Sequence, residues 1–105
     1  MEEGIILTQA FREWEWYDDL NTAKLYLHLL LRANTENRAW RGLDVKRGEL
    51  VSNPRKLAIE SGLSEGSVRT SLKKLKLTKY VTWVSFKGDN IYHINHYEDY
   101  GRRMD

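Results

Sequence analysis

The sequence predicts an α+β domain, mainly helical, in which three helices precede a C-terminal β-hairpin. Three observations predict it. Residues 20–34 carry an apolar run at helical period, two capped helical segments meet at Gly62, and two β-branched, aromatic runs flank Lys87-Gly88-Asp89-Asn90. The 105 residues fit one domain, assigned to residues 1–100, with 101–105 as a tail or the start of a linker. Apolar residues make up 41% and charged residues 30%, enough for one core beneath a polar surface.

Gly4 to Thr8 reads as a short strand, and Gln9 to Trp16 as one or two turns of helix. Asp18, Asp19 and Asn21 offer capping groups for the helix that follows. There Ala23, Leu27, Leu30, Leu31 and Asn34 keep the helical period, flanked by Tyr26, Leu29 and Ala33. A helix apolar around so much of its circumference belongs at the centre of a fold. Asn37 to Gly48 reads as a loop leading into a short strand, Glu49-Leu50-Val51. Asn53 then caps a helix with Pro54 at its first position, where the missing N–H has no partner to lose. Leu57, Ala58 and Ile59 give that helix its buried side, and Gly62 ends it. Ser64 opens the next helix, which runs to about Leu77 on a core stripe of Val68, Leu72 and Leu75. Tyr80–Phe86 and Ile91–Tyr97 are the strands of the hairpin. With the short N-terminal strand and helix as an extension, this order is that of a winged helix-turn-helix.

The stretch Leu57 to Leu72 carries the functional expectation. Two helices cross at the helix-turn-helix angle where the inner contact is small and the turn accepts positive φ, needs met by Ala58 and Gly62. Leu63 and Val68 fill the angle. The second helix, about 64–77, then enters the major groove of double-stranded DNA, where Ser67, Arg69, Thr70 and Lys73 reach base edges. Lys74, Lys76 and Lys79 are expected to meet phosphate, as are Arg55 and Lys56 on the preceding helix and Lys87 at the tip of the wing. Net charge is only +2, yet residues 46–87 hold ten basic and three acidic side chains, while 1–45 hold five and eight. So polarised a chain has the electrostatic pattern of a polyanion binder. The expectation requires that the outer side of the 64–77 helix be open to solvent and positive.

At this point the residues resemble a family. The matching runs are Trp14-Glu15-Trp16-Tyr17, Leu29-Leu30-Leu31-Arg32-Ala33-Asn34, Trp40-Arg41-Gly42 and Arg47-Gly48-Glu49-Leu50-Val51, then Leu63-Ser64 with Val68-Arg69-Thr70-Ser71-Leu72, and Asn95-His96-Tyr97. Together they resemble the N-terminal winged-helix domain of phage replication initiators, the DnaD-like replisome organisers of phages and related mobile elements in Gram-positive hosts. The resemblance runs from about Ile5 to Tyr100. It implies binding of origin DNA as a homo-oligomer, with a separate C-terminal region recruiting the helicase or helicase loader. Two departures matter. The family has glycine after the threonine that ends the recognition helix, whereas this chain has Thr78-Lys79. Either Lys79 takes positive φ or the helix ends differently and reorients the wing. The chain also stops soon after Tyr100 without a recruitment region, as a fragment or a stand-alone module would.

Other chemistries find little support. There are no cysteines, which excludes disulfides, thiolate zinc sites and cysteine nucleophiles. His93 and His96, three apart on an expected strand, point to opposite faces, so no metal is expected. No nucleophile elbow or phosphate loop occurs, and neither catalytic residues nor a cofactor are expected. Glu13, Glu15, Asp18 and Asp19 suit the start of a helix better than acid–base work. Trp14, Trp16, Tyr17, Trp40 and Trp83 are expected in the core, the alternatives being stacking on unpaired bases or, for Trp14 to Tyr17, self-association. The longest apolar run, Leu25 to Ala33, is broken by His28 and Arg32, and Met1-Glu2-Glu3 is acidic where a secretory signal is basic. A cytoplasmic protein without a membrane partner is expected. Two further readings stay open: a transcriptional regulator on the same fold, and a protein-interaction module whose DNA affinity is incidental.

Overall fold

A computed structural model describes residues 2–104. Its longest elements grow from local caps. The Asp19 side chain accepts the Thr22 N–H at 3.1 Å and starts helix α1, Leu20–Arg32. Before it come strand β1 (Glu2–Ile5), short of the expected Gly4–Thr8, and a 3-10 turn at Gln9–Glu13. Residues expected to form a loop instead form a small hairpin, β2 (Arg38–Trp40) and β3 (Leu43–Val45). Arg41 and Gly42 turn it, both at positive φ, the geometry that matches the right-handed twist of paired strands. After β4 (Glu49–Ser52) come helices α2 (Pro54–Ser61) and α3 (Glu65–Leu77). Strands β5 (Val81–Phe86) and β6 (Asp89–Ile94) follow, then a single helical turn, α4 (Tyr97–Tyr100), and β7 (Gly101–Met104).

The chain is therefore α+β but not mainly helical. Among the described residues, four α-helices share it with three antiparallel sheets, ordered β1-β7, β2-β3 and β4-β6-β5. The excess of strand comes from the hairpin at 38–45 and from the two ends. Gly101–Met104, read from sequence as a tail, pairs with β1 in the register Ile5↔Gly101 to Glu2↔Met104. Within the largest sheet, β6 sits in the middle, and its Tyr92 and Ile94 alternate inward as a strand's period requires. Residues 95–97 leave the strand that was expected to continue through them, and Tyr97 is buried as the first residue of α4.

The core lies where α3 packs on α1, α2 and β5. Leu25, Tyr26, Leu29, Leu30, Leu57, Val68, Leu72, Leu75 and Val81 are buried there. Each such side chain contributes about 1.5–3 kcal/mol by leaving water. The buried side of α1 is Thr22, Leu25, Tyr26, Leu29 and Leu30; of the expected stripe Leu30 is buried, Ala23, Leu27 and Asn34 are half-buried, and Leu31 is 73% exposed. Apolar residues surround this helix, so its period left the facing side open. The Thr22 hydroxyl, donating to Ser71 of α3 at 3.0 Å inside the core, selects one. On α2 the buried residues are Leu57, Ala58 and Ser61, and Ile59 points the other way at 75% exposure. No helix among the described residues is long and apolar enough to cross a membrane.

Candidate nucleic-acid interface

Two side-chain caps and one glycine fix the angle between α2 and α3. Asn53 accepts the Lys56 N–H at 3.0 Å, with Pro54 in the first turn. Gly62 ends α2 at φ +79°, a left-handed conformation that residues with a Cβ adopt at a cost. Ser64 accepts the Ser67 N–H at 3.1 Å and opens α3. Ala58 and Val68 are buried in the core and Leu63 is half-buried against it.

The far end of α3 closes as a Schellman motif. Lys79 N–H donates to Lys76 O at 3.1 Å, and Tyr80 N–H reaches back to Leu75 O at 2.9 Å. The residue between must be left-handed, and Lys79 has φ +67°. Of the two outcomes open from the sequence, the lysine takes the glycine conformation.

Val68, Ser71, Leu72 and Leu75 face inward from α3, which leaves Gly66, Thr70, Lys73 and Leu77 as its outermost stripe, at spacings of four, three and four. On one flank of this stripe, Arg69 and Lys73 line an open groove of about 210 Å³ shared with Pro54, Trp83 and Asn90. Lys76 lies on the same flank, its ammonium 4.9 Å from the centre of the Trp83 ring. Arg69 is 59% exposed and held by Glu65 one turn back, Nη2 to Oε2 at 2.8 Å. Such a solvated pair contributes only a few tenths of a kcal/mol, so another anion displaces it readily.

The other flank is occupied from within. Lys74 Nζ sits 2.7 Å from Asp19 Oδ2 and 5.6 Å from the centre of the Trp16 ring. Its hydrogen bond holds the Asp19 carboxyl below the ordinary value, against burial, which pushes it up. The Ser67 hydroxyl is bonded to that of Ser64 at 2.9 Å. Of the six candidates on this helix, Arg69, Lys73 and Lys76 thus share the open side toward the hairpin, Thr70 stands on the outermost stripe and lines a groove with Ser67 and Lys74, and these last two lie toward the start of α1.

Around them stand the backbone candidates. Arg55 is exposed in the first turn of α2. Lys56 Nζ lies 3.6 Å from Asp89 Oδ1, and the Asn53 amide donates to the same oxygen at 2.9 Å. The amide chiefly, with Lys56 assisting against burial, keeps the Asp89 carboxyl below its ordinary value. Lys87, at φ +50°, begins the two-residue turn between β5 and β6, its ammonium 5.2 Å over the Phe86 ring. Lys79 is exposed beyond α3, with its carbonyl accepting from Asn95 Nδ2 at 2.5 Å.

Sequence reasoning passed over Arg38 and Arg41 because their hairpin was read as a loop. The dipeptide Arg41-Gly42 between Ala39-Trp40 and Leu43 was the available signal for a two-residue turn. The histidines separate: His93 Nδ1 meets Glu49 Oε2 at 3.0 Å across β4 and β6, and His96 leaves the strand to lie 3.6 Å from Asp99. Glu49 lies 44 positions from His93, beyond the reach of sequence spacing, whereas Asp99 comes near His96 through the turn that replaces the end of the expected strand. No group of three histidine, cysteine or acidic residues that could hold a metal occurs among the described residues. Of the five aromatic residues expected in the core, Trp14 and Trp16 are half-buried against it, Trp14 packing on Tyr26 and Trp16 donating Nε1–H to Thr78 Oγ1 at 3.1 Å. Trp40 and Trp83 are also half-buried, and Tyr17 is exposed. Compared with protein-family models, with curated proteins and with solved structures, the chain matches none.

Proposed function

We propose that this chain binds double-stranded DNA as a winged helix-turn-helix, with α3 in the major groove and the β5–β6 hairpin alongside as the wing. One observation carries the reading: the outermost stripe of α3 bears Thr70 and Lys73, and the flank toward the hairpin adds Arg69 and Lys76. A helix that leaves this side open and cationic suits a groove walled by phosphates. Arg69, near the helix start, is the side chain best matched to guanine, through a bidentate fork to O6 and N7. Lys76, Arg55, Lys56, Lys79 and Lys87 then meet phosphate, fixing register without reading sequence. Ser67 and Lys74 act chiefly within the chain.

The resemblance quoted above extends the proposal to replication initiation in a phage or mobile element. In that setting the domain works as a homo-oligomer, and a region outside this sequence recruits the helicase or its loader. Selection from random duplexes at fixed salt tests the reading, and enrichment of one sequence is the expected outcome. On that sequence, Arg69→Ala is expected to weaken binding by about 1–3 kcal/mol and to flatten preference at one base pair. Failure to enrich any duplex overturns the DNA reading. Equal weakening on every sequence moves Arg69 from base to phosphate.

A further inference from the structure

Two hairpin tips stand against each other. Trp40-Arg41-Gly42 turns β2 into β3, and Phe86-Lys87-Gly88 turns β5 into β6. Each tip is an aromatic residue, a cation and a glycine. The Trp40 and Phe86 rings meet edge to face with centroids 5.8 Å apart. The Arg41 guanidinium lies 5.2 Å over Trp40, as the Lys87 ammonium does over Phe86. Both cations occupy the first position of a turn that wants positive φ, at +48° and +50°. Asparagine or glycine suits that position, and a long side chain there costs stability. Among the described residues every non-glycine at positive φ is basic: Arg41, Lys79 and Lys87.

Like charges at paired tips, in conformations that disfavour them, need a reason outside the free chain. The surroundings supply an anion's chemistry. Arg41 lines an open cleft of about 380 Å³ with Arg32, Arg38 and Lys56; Glu60 holds Arg32 at 3.0 Å and Glu36 lies 3.8 Å from Arg38, and the one carboxylate in the lining itself is Asp89. That carboxylate is already bonded to Asn53. Each ring already carries its own cation and touches the other ring, which favours phosphate over a stacked base as the occupant.

We propose that the paired tips form a second phosphate-binding edge, in which Arg41 and Lys87 grip the duplex backbone beyond the groove entered by α3. This rests on the duplex-DNA reading and adds to it an element, β2–β3, that has no part in a recognition helix or a single wing. The test uses the full chain and a labelled mixed-sequence duplex about three helical turns long, titrated at several salt concentrations. Arg41→Asn and Lys87→Asn keep turns that asparagine favours while removing the charge. Each is expected to lower the salt slope by about one unit, the double variant by about two, with melting temperatures at or above the parent's. Glycine at either position, which the turns also accept, is expected to give the same loss, and Arg12→Asn, on the 3-10 turn, none. A parent that binds while the double variant keeps its slope overturns the second edge, and with it the Lys87 phosphate contact, and leaves the α3 part of the DNA reading standing. A parent that binds no duplex overturns the DNA reading and this edge together. Loss confined to a single-stranded oligonucleotide of the same length assigns the tips to unpaired strands and overturns the proposal.

Discussion

Asp19 ties the start of α1 to the last turn of α3. Its carboxylate caps α1 through Thr22 N–H at 3.1 Å and holds Lys74 at 2.7 Å. The Lys74 hydrogen bond, outweighing burial, sets the Asp19 carboxyl below its ordinary 3.8. Because the folded value is the lower one, the stability it adds is complete above 3.8 and disappears as pH falls through that folded value. Asp19→Asn keeps the cap, since asparagine caps as well as aspartate, and removes the ion pair. At neutral pH it is expected to lower unfolding free energy by up to about 1 kcal/mol, the range for a partly exposed pair. Urea denaturation at a series of pH values checks this, and parent and variant curves should converge in acid below 3.8. A gap that persists in acid would assign the loss to the cap instead. The caps themselves could be read from the sequence, because Asp19, Asn53 and Ser64 each serve an N–H three positions on. Lys74 could not, because what removes it from the phosphate contacts lies 55 positions away.

Helices α2 and α3 follow their signals closely, from Asn53-Pro54 to Gly62 and from Ser64 to Leu77, since caps and breakers act locally. Side chains that choose a face through distant partners were less legible. Leu31 and Ile59 are expected inside yet exposed, because Thr22 of α1, bonded to Ser71 of α3, and Leu57 with Ser61 on α2, take the inner side. The β2–β3 hairpin was missed for a different reason: three-residue strands give too short an alternation to read as period two. The end of α3 was legible only as a choice, and the structure puts Lys79 at the left-handed position of the Schellman motif. A β-carbon there costs about 1–2 kcal/mol, which glycine avoids, although its freer unfolded chain returns part of the gain. Lys79→Gly is therefore expected to raise stability by up to about 1 kcal/mol, seen as a higher melting temperature. A lower one would mean that the lysine stem contributes more to packing than its backbone costs.

Charge counted along the chain misplaces part of the basic surface. Arg32, Arg38 and Arg41 come from the net acidic first 45 residues, yet they line one cleft with Lys56 from the basic span. Arg47 belongs to the basic span by number and works elsewhere. Its guanidinium reaches Glu3 at 2.6 Å, Thr35 O at 2.8 Å and both oxygens of Glu98 at 2.8 and 3.1 Å. It lies 5.0 Å from the centre of the Tyr97 ring. The bonds to Glu98 first, then that to Glu3, push the Arg47 pKa upward, and Arg47 holds Glu98 below its ordinary value. One side chain thus joins β1, the segment after α1, and α4 where it hands over to β7. The packing there is close: a Cβ on Gly48 would stand 3.0 Å from that of Tyr97, and one on Gly101 2.7 Å from its ring. Since β1 and β7 pair mainly with each other at the edge of the fold, their attachment rests heavily on this junction. Arg47→Ala leaves Glu3 half-buried without its cation and is expected to cost about 1–3 kcal/mol of stability. Arg47→Lys should restore only part of it, because an ammonium cannot reproduce the forked contact to Glu98. Amide exchange localises the effect: β1 and β7 are expected to lose protection first, while α3 and β6 keep theirs. Uniform loss across all elements would mean that the two ends unfold only with the core, and that Arg47 fastens nothing the core does not already hold.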